Sequence, residues 1–171
     1  IPLRLVGSEM CIRDSNIDLT GKRKTEILNV KYGKTKDGNL LDITHSGYNT
    51  IFGINHKRQI YLSNKKNEIR GKDEIINLGN IGTIPKRANI HFHLDPNIEL
   101  IQTRSGSILL KHSKGFVWKM SSDNQDIDIK DSVMFTPRGP VPCKEIMINM
   151  KLEKIRAYKF ISCNWALQLQ K

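Results

Sequence analysis

The side chains able to do chemistry in this chain are five histidines, a tyrosine placed between two of them, and two cysteines late in the sequence. His91-Phe92-His93 sets two imidazoles two residues apart, so on an extended strand both point to one face while Phe92 points to the other. Such a pair can fill two positions of a metal site. A cupin-like site would add a nearby Glu and a third His from another strand, and the nominal candidates, Glu99 and His112, stand in poor order and context. The pair is therefore read as ordinary strand histidines, one packed and one exposed, with no metal ligand assigned. His45, Tyr48 and His56 form a second group, around Gly47 and Gly53. A tyrosine beside a histidine can serve as acid and base in proton transfer, but strand ends also carry both for packing and hydrogen bonding, which is the expectation here. Cys143 and Cys163 have no histidine close in sequence, so nucleophilic catalysis finds no support. They are expected as two isolated buried thiols, with a disulfide between late strands left open. There is no phosphate-cradling glycine loop and no G-x-S-x-G elbow. No catalytic residue is assigned.

The elements that must position these groups are short strands divided by turns. Glu26 to Tyr32 and Asn39 to His45 alternate at period two around Asp37-Gly38, a dipeptide suited to a hairpin turn with positive φ. His56 to Ser63, Asn67 to Ile76 and Arg87 to Leu94 follow, the last stopped by Pro96. Ile98 to Met120 reads as a three-stranded meander with turns at Arg104-Ser105-Gly106 and Ser113-Lys114-Gly115. Asp126 to Phe135, Cys143 to Leu152 and Arg156 to Leu169 complete about ten to twelve strands, with Pro137 to Pro142 as a loop. Strands at this spacing without intervening helices predict an all-β fold, a large antiparallel β-sandwich. Trp118, Trp165, Phe116 and Phe135 lie in alternating segments and are expected in the core.

A chain of 171 residues has room for one domain, and 38% apolar content with no long apolar run excludes a transmembrane helix. The net charge of +11 is spread along the chain, mostly as Lys, and its longest cluster is Gly21-Lys22-Arg23-Lys24. With no base-reading motif or basic helix, nucleic acid is not expected as a partner, and an anionic polysaccharide suits the charge as well.

Seven short motifs then occur in one order: His45-Ser46-Gly47-Tyr48, Phe52-Gly53-Ile54-Asn55-His56-Lys57-Arg58, Gly71-Lys72-Asp73, Phe92-His93-Leu94-Asp95-Pro96, Gly115 with Trp118, Asp131-Ser132-Val133 and Trp165-Ala166-Leu167. Together they resemble the C-terminal region of heparinase II/III-like proteins, bacterial polysaccharide lyases, whose pattern runs H-D-G-Y, F-G-x-x-H-x-R, G-x-D, F-H-L-H-P, G-x-x-W, D-S-V and W-A-L. Ser46 stands where that pattern has Asp, and Asp95 replaces the second His of F-H-L-H-P. The resemblance implies a β-sandwich packed in whole enzymes against an N-terminal helical toroid, with a cleft for acidic polysaccharide between them. It implies β-elimination in which a cation or amide neutralises the uronate, Tyr or His removes the C5 proton and an acid protonates the leaving oxygen. The family's catalytic Tyr and His and its divalent-metal H-x-H-x-D segment lie upstream of Asn16. No catalytic residue, metal ligand or cofactor is thus carried over to this chain, and His45, Tyr48, His56, Arg58 and His93 remain as candidates to line the cleft. The resemblance also implies a bacterial cell envelope or periplasmic setting. The alternative is a non-catalytic carbohydrate-binding β-sandwich.

Leu5 to Asp14 resembles the translation of a transposase-based sequencing adapter, so residues 1–15 are expected to be non-native and residues 16–171 to be an incomplete C-terminal sandwich domain, truncated on its N-terminal side. Setting residues 1–15 aside removes Arg4 and Arg13 with Glu9 and Asp14, which leaves the charge at +11. Truncation predicts an unpaired sheet edge, an exposed apolar face and poor solubility.

Overall fold

A computed structural model of the chain describes residues 25–79 and 85–170. The segment expected to be non-native, residues 1–15, and the basic cluster at 21–24 lie outside the described residues. Eleven strands follow in order among the described residues: β1 (Ile27–Lys34), β2 (Gly38–His45), β3 (Ile54–Ser63), β4 (Glu68–Asn77), β5 (Arg87–His93), β6 (Ile98–Gln102), β7 (Ile108–His112), β8 (Val117–Ser122), β9 (Ile127–Thr136), β10 (Gly139–Lys151) and β11 (Phe160–Gln170). One helical turn, Asn49–Phe52, precedes β3, and a 3-10 turn, Ile155–Ala157, precedes β11. Eight strands form one sheet in the order β1-β2-β3-β4-β11-β8-β7-β6, and three form a second in the order β5-β10-β9. All the pairings are antiparallel.

The core is built from residues of both sheets. Ile75, Ile108, Leu110, Met120, Cys163 and Trp165 come from the large sheet, and Ile90, Ile146, Ile148 and Met150 from the small one. Strand alternation places these positions on inner faces, and burying each large aliphatic side chain contributes about 1.5–3 kcal/mol. Leu152 and Ile155, fully buried, close the link into β11. At the other end of the large sheet β1 is an edge, and Ile27, Val30 and Tyr32 on it are more than half exposed. Among the described residues no further strand pairs with that edge. No helix among the described residues is long and apolar enough to cross a membrane.

Three local expectations need correction. Gly38 does not supply a positive φ; it opens β2 and is buried, and a Cβ there would meet the Leu62 carbonyl and the Tyr61 ring at 2.5 Å. The turn is held by Thr35 instead, whose hydroxyl accepts from the Asp37 and Gly38 amides. Pro140 and Pro142 are not in a loop but in β10, paired with Phe135 and Val133. Strand β5 pairs only with positions 145–151 of β10, so the proline nitrogens lie where no neighbour needs an N–H. Phe116 and Phe135 are exposed rather than core residues, the latter at 80%.

Candidate functional site

Asp73 is fully buried on β4, and three side chains from β3 and β11 converge on its carboxylate. His56 and Arg58 on β3 reach Oδ1, each at 2.7 Å from its Nε2 and Nε respectively. From β11, the indole Nε1 of Trp165 donates to Oδ2 at 2.8 Å. Register explains the meeting: Arg58 and Cys163 lie directly opposite Asp73, and Trp165 lies opposite Gly71, two residues away on the same face. Gly71 is required there because a Cβ would fall inside the Trp165 ring. The other side of the indole meets Phe92 edge-on, with centroids 4.9 Å apart, which ties the small sheet to the network.

Hydrogen bonding continues from His56 to β2 and fixes the protons. The Gly47 amide donates to His45 Nδ1 at 3.2 Å, so the His45 proton sits on Nε2. That N–H donates to His56 Nδ1 at 3.0 Å, which places the His56 proton on Nε2, facing Asp73. Burial, then the neighbouring His56 and Arg58, pushes the His45 pKa down to about 4. Burial alone would raise the Asp73 carboxyl, but the hydrogen bonds and charges from His56 and Arg58 outweigh it and hold the group below its ordinary value. Every ring nitrogen of both histidines is engaged within the fold. This arrangement stabilises a buried carboxylate and leaves neither imidazole a vacant nitrogen for a substrate proton.

The candidate cleft residues thus divide. His45, His56 and Arg58 come together, and Tyr48 joins them with its ring 5.6 Å from His45. His93 lies elsewhere, on β5 of the small sheet. There His91 Nδ1 lies 3.4 Å from Glu145 Oε1 and His93 Nδ1 lies 3.2 Å from Glu145 Oε2. The reading of one packed and one exposed histidine is corrected, because the two side chains are only 9% and 18% exposed. Their rings stack at 6.1 Å, and the Ser132 hydroxyl on β9 is 3.2 Å from His93 Nδ1. Glu99 and His112, the nominal partners in sequence, are on the large sheet, where His112 accepts the Lys114 amide and packs on Phe116. Glu145 was missed because the β5–β10 register that sets it opposite His93 spans 52 residues. Among the described residues, these three form the group of His, Cys, Asp or Glu side chains whose ligand atoms all lie within 4.8 Å of one another.

Cys143 and Cys163 are free and buried on different sheets. Burial pushes the Cys163 thiol up to about 11, far from a reactive thiolate.

Comparison with known proteins matches the heparinase II/III-like, C-terminal family model over residues 10–161, a span that begins inside the segment set aside above. FtsZ-localized protein C of Caulobacter vibrioides is 30% identical over 105 residues, covering 56% of this chain. The chain spans only 18% of that relative's length. Among solved structures, an alpha-N-acetylgalactosaminidase from Bifidobacterium bifidum, NagBb, shares the fold at TM-score 0.51 and 8% identity, over 88% of this chain and 28% of that one. The GH36 alpha-galactosidase AgaB from Geobacillus stearothermophilus matches at TM-score 0.46 and 11% identity, over 86% of this chain and 28% of that one.

Proposed function

The chain belongs to the heparinase II/III-like, C-terminal family, and from that premise we propose that it is the non-catalytic sandwich domain of a polysaccharide lyase acting on uronate-containing chains. Its part is to support one wall of the substrate cleft, with the proton-transfer groups supplied by an N-terminal toroid of the same protein. The observation that carries this reading is the closure of the Asp73 network. The tyrosine and histidines that resemble lyase chemistry converge, but His45 and His56 have their nitrogens committed to Gly47, to each other and to Asp73. Arg58, one-third exposed, neutralises that carboxylate at the border of the site.

Incubating the purified chain with heparan-type and other uronate polysaccharides tests the claim. The expected result is no rise in unsaturated-uronate absorbance, and turnover by the chain alone would overturn it.

A second reading, a carbohydrate-binding module, is favoured by a shallow groove on the large sheet lined by Gln59, Tyr61, Arg70, Lys72 and Asn164. Its two cations already face carboxylates, Arg70 to Glu68 and Lys72 to Glu74, which lowers their value for an anionic chain. Calorimetry with neutral and acidic oligosaccharides separates the readings, since a binding module retains measurable affinity without any other domain and a supporting wall does not.

A further inference from the structure

We infer that His91, His93 and Glu145 form a binding site for one divalent transition ion, zinc foremost, on the small sheet. The three side chains are held by paired backbone rather than by loops. His91 and His93 are two apart on β5, and Glu145 is directly opposite His93 on β10. Alternation puts all three on the face opposite to Phe92, Ile146 and the core.

The ligand atoms of the three side chains all lie within 4.8 Å of one another, and His91 Nδ1 and His93 Nδ1 lie 3.4 Å and 3.2 Å from Oε1 and Oε2 of the one carboxylate, so both imidazoles address the same acid group. Zinc bonds of about 2.0–2.1 Å set neighbouring ligand atoms about 3.3 Å apart in a tetrahedron, a spacing to which a bound ion would draw the three. Two histidines and one glutamate are also a known zinc donor set that keeps a fourth position open.

Charge points the same way. Glu145 is 7% exposed, and its ionic partners among the described residues are the two histidines, with no Lys or Arg. A buried carboxylate without a fixed cation is costly, and a divalent ion supplies the missing charge. The Ser132 hydroxyl, 3.2 Å from the same His93 Nδ1, adds a neutral oxygen beside the ligand atoms.

The test uses the full purified chain, stripped with chelator and titrated with Zn²⁺ and separately with Co²⁺. One equivalent of zinc should bind and raise the Tm by about 5 °C at a hundredfold excess over Kd. Bound Co²⁺ should show the intense visible bands of a four-coordinate ion. Glu145→Gln, close in shape and with folding checked by circular dichroism, should weaken zinc binding at least tenfold and cut the Tm rise at the same zinc concentration by about half or more, as should His93→Asn. His112→Gln, away from the cluster, should leave both unchanged. Absence of a stoichiometric site in the unaltered chain, or equal binding by folded Glu145→Gln, would overturn the inference.

Discussion

Two regions of this molecule use the same side chains to opposite effect. Around Asp73 a buried carboxylate meets two imidazoles in series, a guanidinium and an indole, and each ring nitrogen has a partner. Around Glu145 a buried carboxylate meets two imidazoles side by side, and among the described residues one nitrogen has no hydrogen-bond partner and no Lys or Arg pairs with the acid. Residue type alone does not separate a structural knot from a binding site. What separates them is whether donors, acceptors and charge are balanced within the chain. Both regions carry motif residues, His93 and Ser132 in the unbalanced one, but that region also relies on His91 and Glu145, outside the seven motifs.

The largest expected effect is on the balanced side. Asp73→Asn removes the charge on which His56, Arg58 and Trp165 converge and should cost about 3–5 kcal/mol of stability in a urea melt. Glu145→Gln, measured alongside without metal, should change stability by less than about 1 kcal/mol, since a carboxamide oxygen can still accept from the imidazoles. Equal losses at both positions would erase the contrast. Gly71→Ala comes next: its methyl must displace the Trp165 ring, which should cost about 1–3 kcal/mol and red-shift the tryptophan fluorescence. A smaller loss, about 1–2 kcal/mol, is expected for Trp165→Phe, which keeps an aromatic ring against Phe92 but leaves an Asp73 oxygen without its donor.

Acid should expose the network gradually. The His45 pKa is lowered on folding from 6.5 to about 4, so between those values the unfolded chain takes up a proton that the folded chain refuses. Stability should therefore fall as pH drops from about 6.5 toward 4. Asp73, held below its ordinary value, adds a further loss at still lower pH, beginning near the ordinary carboxyl pKa and continuing as pH falls through its folded value. Replacing His45 with Asn should flatten the first of these slopes, measured as Tm across the pH series.

Much of the fold was legible because alternation and turn residues are local signals. The meander turns expected at residues 104–106 and 113–115 are present, and Gly106 and Gly115 take positive φ in them. The prolines of β10 misled because their tolerance depends on which side β5 pairs, a tertiary fact. The same limit applied to the sites. His45, Tyr48 and His56 could be grouped from their closeness in sequence, and Arg58 added from the resemblance, but that Gly71, Asp73 and Trp165 meet them follows only from the β3–β4–β11 register. Glu145 carried no local mark at all, sitting in a buried apolar strand in which Ile146, Met147 and Ile148 follow it.

Whether the motif residues close into a structural network is tested most directly by following the His45 ring nitrogens by ¹⁵N NMR through a pH titration. The account predicts a single Nε2–H tautomer, with Nδ1 accepting from Gly47, that stays neutral until about pH 4. Titration near pH 6.5, or rapid exchange between tautomers, would contradict it and return His45 to the roster of groups free to move a substrate proton.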